Sequence, residues 1–356
     1  MLSRLDVLPN PIGFGPTSLG CNSREVVVKL HNNGTAPLNV MQLEVVPATN
    51  PPVFIISSAP PTPFIIGAAS SVQIKLRYHP TMKGVETGTF RIHTDAPNAN
   101  NGIVDVPLNG EGTDQPDVKD TFVQTDKPKV DVLWCIDNSG SMGEEQTGLS
   151  FNFPQFINYA TSLNIDYQIG VVTSEINEAE KGLTGDMIFP GVLFQRRGYP
   201  RIITNSEPHP TTPPYQPTNA NVNDAFEANA MLGECCSDEQ EACMEAVRMA
   251  LSEPLIGDEQ ANKGFLRRYA KLVVIMMSDE EDQSPGTVDY YVEFLKSLKG
   301  AATRELLSVS IIAGTDRDGD AQNPPNAQSC STADAGVRYV DLFKKMELLE
   351  LVWVPL

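Results

Sequence analysis

The sequence predicts a chain of two parts, an all-β sandwich followed by an α/β unit on a mostly parallel sheet. Three observations carry this. From about Glu25 to Gly112 the apolar residues recur with period two. From Val130 onward, apolar runs of strand length alternate with stretches of helical spacing. Between them, residues 114–129 are polar, proline-punctuated and without a sustained apolar pattern, which reads as a linker. A chain of 356 residues also exceeds what one ordinary core organises.

In the first part, Val26, Val28 and Leu30 alternate with polar neighbours, as do Val72, Ile74, Leu76 and Tyr78, then Phe90 and Ile92, then Val104, Val106 and Leu108. Each reads as a strand with one wet face. Turn signals separate them at Asn32-Asn33-Gly34, Pro60-Pro61, His79-Pro80 and Asn98 to Gly102. Short strands at such spacing with no helical stretch predict an antiparallel sandwich. His31, His79 and His93 fall in turns or on wet faces and are not spaced for a metal.

The second part opens on Val130 to Ile136, a near-continuous apolar run ending in Asp137-Asn138-Ser139-Gly140-Ser141. Such a run is a strand buried on both faces, and ligands bind at the carboxyl ends of strands in open α/β sheets. One carboxylate and two hydroxyls at spacing two suit a hard cation with oxygen ligands, Mg²⁺ foremost. The same five residues also suit a turn whose Asp and Ser bond to nearby backbone and cap the next helix. Phe151, Phe153, Phe156, Ile157 and Ala160 then give a helix its apolar face, with Pro154 limiting where its regular part begins. Ile165 to Val172 predicts a strand, a further one lies within Met187 to Ile203, and the five prolines of Glu207 to Pro217 mark a loop. Glu239 to Leu251 has helical spacing with Ser237 or Asp238 as cap.

Lys271 to Ser278 is a second buried strand, ending in Asp279. Ser284-Pro285 predicts a helix start, Val288 to Leu298 supplies that helix's core face, Gly300 closes it, and Leu306 to Ala313 is another strand. Two central strands of one parallel sheet that both end in Asp bring Asp137 and Asp279 to one rim. If those strands are neighbours, the two carboxylates converge with Ser139 and Ser141, which strengthens the metal reading. Asp316-Arg317-Asp318-Gly319-Asp320 has the front of a Ca²⁺ loop but Ala327 where the closing acid belongs, and reads as a solvated acidic loop.

Charge and cysteines set outer bounds. Residues 1–113 hold seven basic and seven acidic residues, so all the excess of the −19 net charge falls on the rest of the chain, which argues against nucleic acid as a partner. The longest apolar run, Leu272 to Met277, is far below the ~18 residues of a membrane span. Met1 to Asp6 has no apolar signal core, so the protein is cytosolic or this sequence is part of a longer, exported one. Cys21 and Cys135 are isolated and read as inert thiols, whereas Cys235, Cys236, Cys243 and Cys330 can pair in a connectivity the sequence leaves open. A bond from Cys235 or Cys236 to Cys243 is one way to stiffen their loop. No Cys-x-x-Cys or His pair at ligand spacing exists, which argues against zinc.

Two resemblances follow from these residues. Asn32-Asn33-Gly34-Thr35-Ala36-Pro37-Leu38, Tyr78-His79-Pro80, Gly88 to Ile92 and Val106 to Gly112 resemble the immunoglobulin-like ASH/Hydin-type module, carried in bacterial proteins as the "choice-of-anchor D" domain. That implies a spacer or interaction module over residues 1–113. Asp137-x-Ser139-x-Ser141 after one hydrophobic strand, with Asp279 after another, resembles the von Willebrand factor type A domain, a Rossmann-like doubly wound fold, and its metal-ion-dependent adhesion site. The resemblance covers residues 130–356. It implies metal ligands Asp137, Ser139, Ser141 and Asp279, a bound Mg²⁺, Mn²⁺ or Ca²⁺, and an open position for a carboxylate of a protein partner.

The sequence departs from that family twice. The family's remaining ligand is a Thr, and Leu232 to Glu239 contains none, so Glu234 or Ser237 stands in or the position is lost. Only Leu348 to Val354 remains for the last strand, so the domain ends on that segment or is truncated.

The function expected is a non-enzymatic, metal-dependent adhesion or protein-binding module on a β-sandwich spacer, in a bacterial cell envelope or outside the cell. The alternatives are a structural envelope protein with a degenerate site, and a phosphohydrolase of the haloacid-dehalogenase type. The latter needs a second Asp two positions on, where this chain has Ser139. A serine hydrolase fares no better, since no Gly-x-Ser-x-Gly surrounds either serine and the region's one histidine, His209, lies in the proline-rich loop.

Overall fold

Alternation of apolar and polar residues builds the first unit. The computed structural model describes residues 2–47, 51–114, 127–177, 179–181, 185–205, 219–232, 241–299, 303–314 and 333–346. The chain divides into two units, Met1–Gln124 and Thr125–Leu356, a division that falls inside segment 114–129.

The first unit is an all-β sandwich of two sheets. Its strands are β1 Leu5–Leu8, β2 Ile12–Gly13, β3 Thr17–Ser18, β4 Val26–Asn32, β5 Leu38–Val46, β6 Phe54–Ser58, β7 Phe64–Ile66, β8 Ser70–Tyr78, β9 Gly84–Thr94 and β10 Ile103–Thr113. One sheet has the order β1-β4-β8-β6 and the other β2-β10-β9-β5-β7, with β3 also on β10. The alternating residues close the core between them: Val28, Leu30, Ile74, Leu76 and Tyr78 from one sheet meet Leu38, Val40, Phe90, Ile92, Val106 and Leu108 from the other. Gly110 is required by close approach, because a Cβ there would stand 2.6 Å from the Tyr78 ring. Strands β1 to β3 went unread in the sequence, being short and broken by Pro9, Pro11 and Pro16. His31 is buried on β4 rather than on a wet face.

The second unit comprises β11 Lys129–Ile136, α1 Gly143–Ser162, β12 Asp166–Thr173, β13 Glu180–Lys181, β14 Met187–Ile188, β15 Ile203–Thr204, α2 Asn219–Ala230, α3 Cys243–Ala250, β16 Lys271–Ser278, α4 Val288–Leu298, α5 Thr303–Leu306, β17 Leu307–Ala313 and α6 Val337–Met346. Its main sheet has the order β15-β12-β11-β16-β17. All neighbours are parallel except β15, an antiparallel edge. One face of β11 carries Val132, Trp134 and Ile136 into a core with Phe153, Ile157 and Ala160 of α1 and Phe226 of α2. The opposite face of β11, at Cys135, is bonded to Cys243 of α3.

Three helix starts differ from the sequence reading. α1 begins at Gly143 and runs through Pro154, since burial of Phe153, stacked on Phe226 with ring centroids 3.5 Å apart, outweighs the lost backbone bond. α3 begins at Cys243, and Ser237 and Asp238 lie outside the described residues. α4 begins at Val288 with Thr287 as its cap, its hydroxyl accepting from Tyr290 N at 3.2 Å. Ser284 is engaged elsewhere, donating to Asp282 at 2.8 Å and accepting from Glu245 N at 2.9 Å.

At the amino-terminal ends of the strands, Arg267 holds a fully buried acid. Its Nε donates to Asp131 Oδ1 at 2.6 Å, its backbone N to Asp131 Oδ2 at 2.8 Å and its Nη1 to Asp166 at 2.8 Å. Burial pushes the Asp131 carboxyl upward in pKa and Arg267 opposes that. Removing the arginine leaves an uncompensated buried charge, which costs about 3–5 kcal/mol. Arg267→Ala is therefore expected to lower the urea midpoint of the second unit. Both tryptophans, Trp134 and Trp353, belong to that unit, so tryptophan fluorescence reads its transition apart from the sandwich.

Candidate functional site

The strand register determines which residues meet. In the last ladder pairs of β11, Ile136 is opposite Thr173 of β12 and Met277 of β16. One residue further, Asp137 therefore lies between Ser174 and Ser278, with strands roughly 4.8 Å apart. Asp279 follows directly. The two carboxylates predicted for one rim are on neighbouring strands, and both are buried, at 0% and 2% exposure.

Asp137 is locked in place. Its Oδ1 accepts from Ser139 N at 2.7 Å, its Oδ2 from Ser278 Oγ at 2.5 Å, and its carbonyl from Gln146 Nε2 at 3.0 Å. Its own N donates to Met277 O at 2.9 Å, which extends the β11–β16 ladder by one step. Ser139 is nearly buried, Ser141 is exposed, and their hydroxyls lie 3.3 Å apart. Asp279 has an Oδ1 that is buried and has no hydrogen-bond partner among the described residues. Burial raises the Asp279 carboxyl, the Ser141 hydroxyl opposes that, and Asp137 and Glu145 add to it.

A further acid was not read from the sequence. Glu241, just before α3, is 7% exposed. Its carboxylate accepts from the Ser174 hydroxyl, which is also 3.3 Å from Asn138 Oδ1. Its carbonyl accepts from Gln283 N at 2.6 Å, and Ala242 N donates to Ser174 O at 3.1 Å. Burial and the facing Asp137 push its carboxyl up to about 9. Glu280 is also raised, by burial and then by Asp137, Asp279 and Asp334. Ser174 and Ser278 had a signal in the matched strand ends. Glu241 had none, because it is off the sheet and reaches the rim only through tertiary folding.

Glu234 and Ser237, the candidates for the missing ligand, lie outside the described residues, as do Cys235, Cys236, Cys330, Asp316 to Asp320 and Leu348 to Val354. Cys135 is not a thiol: it forms a disulfide with Cys243, a pairing that helix–sheet packing creates and linear spacing does not reveal.

Among the described residues, no three or more His, Cys, Asp or Glu side chains gather closely enough to hold an ion by themselves. A donor set of two carboxylates and two hydroxyls does not require a third acid. What the rim lacks is positive charge: among the described residues none of Asp137, Glu241, Asp279 and Glu280 has an ion-pair partner, whereas buried Asp131 and Asp282 are paired with Arg267 and Arg338.

The raised Glu241 carboxyl sets a pH dependence in chelator. Folded, it keeps its proton up to about pH 9; unfolded, it releases it near 4.5. Between these values the folded state binds more protons, so stability falls as pH rises. Melting temperatures in EDTA at pH 5.5, 7 and 8.5 are expected to decline more steeply for the native chain than for Glu241→Gln; parallel declines would contradict the assignment.

No protein-family model and no curated protein matches this chain. Among solved structures, similar ones are immunoglobulin-like domains aligned over about a third of the chain. The ASH/PapD-like domain 7 of human CEP192 is 14% identical at a TM-score of 0.27, over 32% of this chain and 87% of that one. The MSP-domain protein SSP-19 of Caenorhabditis elegans is 12% identical at 0.23, over 30% and 99%. The secreted serine protease VesC of Vibrio cholerae is 17% identical at 0.26, over 31% and 23%.

Proposed function

We propose that the second unit is a divalent-cation-dependent protein-binding module of the von Willebrand factor type A kind, carried with an ASH/Hydin-type sandwich that acts as a spacer. The observation that supports it most is the rim itself: Asp137 and Asp279 on adjacent parallel strands, Ser139 and Ser141 beside them, and a buried Asp279 Oδ1 with no hydrogen-bond partner among the described residues. A buried acceptor without a partner is costly, and a cation with its waters satisfies it. The sheet order, with an antiparallel edge at β15, agrees with that family's Rossmann-like architecture.

Asp137, Ser139, Ser141 and Asp279 would hold Mg²⁺, Mn²⁺ or Ca²⁺. When bound, the ion supplies an electrophilic position that a carboxylate of a protein partner can occupy. The chain's own part is orientation: Ser278 and Ser139 N fix the Asp137 oxygens, Gln146 fixes the turn, and the amino end of α1 directs its dipole toward an anionic group. A disulfide beside the site favours an oxidising compartment, the cell envelope or outside the cell. No helix described is long and apolar enough to cross a membrane. Absence of a Thr from Leu232 to Glu239 favours, as a second reading, a structural protein with a degenerate site.

Thermal melting distinguishes the two. Mg²⁺ at a hundred times its Kd adds about 2.7 kcal/mol, roughly 5–10 °C for a unit of this size. Asp137→Ala is expected to abolish that rise. An equal melting temperature in Mg²⁺ and in EDTA would sink the binding reading. Turnover of p-nitrophenyl phosphate that is lost with Asp137→Ala would support an enzyme instead.

A further inference from the structure

The Cys135–Cys243 bond joins the two stretches of backbone that carry facing acids. Its Cα atoms are 5.8 Å apart across a sequence separation of 108 residues, and both cysteines are fully buried. Cys135 comes two residues before Asp137, and Cys243 two residues after Glu241. Two residues of extended chain span about 7 Å, so each acid lies within one short step of the same covalent bond.

Glu241 is buried beside the rim, and three things hold it there. The Ser174 hydroxyl donates to its carboxylate, Gln283 N donates to its carbonyl, and the disulfide ties the chain two residues further on to β11. At the other end of the loop's anchorage, Met244 N and Glu245 N donate to Asp282 and Ser284, which seats the first turn of α3 on the loop after β16. Glu241 is thus held against the rim by covalent attachment to β11 and by hydrogen bonds to the chain that follows β12 and β16.

We propose that the Cys135–Cys243 disulfide is the positioning device for Glu241, and that Glu241 is a further carboxyl of the cation site, acting on a bound ion from beside Asp137. Its role is outside direct ligation, orienting Asp137 and the water around the ion, in keeping with the absence of a three-acid cluster among the described residues. This rests on the cation-site reading above. Outer groups of this kind change metal affinity about 10- to 100-fold.

Titration of the full chain with Mn²⁺, followed by the electron paramagnetic resonance of the free ion, tests it. The variants are C135A/C243A, Glu241→Gln, and the three changes together. Each of the first two is expected to weaken Mn²⁺ roughly tenfold or more. The combined variant is expected to be no weaker than Glu241→Gln alone, because the bond acts through that residue. Unchanged affinity in C135A/C243A, or losses that add in the combined variant, would overturn the proposal while leaving the cation site standing. No Mn²⁺ binding by the native chain would overturn the cation site itself. Tryptophan fluorescence checks the fold of each variant. Should C135A/C243A not fold, the native chain reduced with tris(2-carboxyethyl)phosphine replaces it, and unfolding there too overturns the proposal, since the bond would then hold the domain rather than Glu241.

Discussion

Parallel pairing of β11 between β12 and β16 is the constraint on which the site depends. Its registers end at Ile136 opposite Thr173 and Met277, so the residues that follow emerge side by side. Shifting either pairing by one residue would exchange the two faces of a strand. It would carry Trp134 away from Phe226 and Cys135 away from Cys243, at the cost of the core and of a covalent bond. Hydrophobic packing on both faces therefore sets the polar geometry at the end. Asp137 and Asp279 do not find each other by attraction, since they repel; they are delivered to one place by the apolar residues behind them.

The unit deals with buried acids in two ways. Asp131 and Asp282 are each matched by an arginine, Arg267 at the amino-terminal rim and Arg338 at the start of α6. Arg338 also donates to the carbonyls of Ser284 and Gly286, and Glu281 accepts from the first free amides of α6, Val337 N and Arg338 N. These groups are satisfied within the fold. The carboxyl rim is treated otherwise: Asp137 and Glu241 are hydrogen-bonded to serines or backbone, and among the described residues no basic side chain pairs with them. Arginine is used twice in the same unit for that purpose, and among the described residues none is used at the rim.

Much of this was legible in the sequence because it is periodic or repeated. Two apolar runs ending in Asp gave the rim, and alternation at Val26 to Leu30 and Val72 to Tyr78 gave the sandwich. What stayed hidden depends on contacts between distant segments. Pro154 looked like a boundary until Phe153 was seen stacked on Phe226. Ser284 looked like a cap because its engagement with Asp282 and Glu245 N crosses between elements. Cys135 looked inert because nothing near it in sequence is a cysteine, and Glu241 was one acid among many in an acidic region. Local pattern names the elements; only packing names their partners.

The rim then has a consistent physical character. Burial raises Glu241, Asp279 and Glu280 together, and a neighbouring acid of the group adds to the rise in each. Burying these acids together, with no basic partner among the described residues, costs the fold stability. Natural proteins accept such local conflicts where function needs them and compensate elsewhere. Here the compensation is visible in the pinned Asp137 turn, the Arg-matched acids Asp131 and Asp282, and the disulfide two residues from each facing acid. Among the described residues, then, the acids of the rim are held in place by hydrogen bonds and a covalent bond rather than by opposite charge.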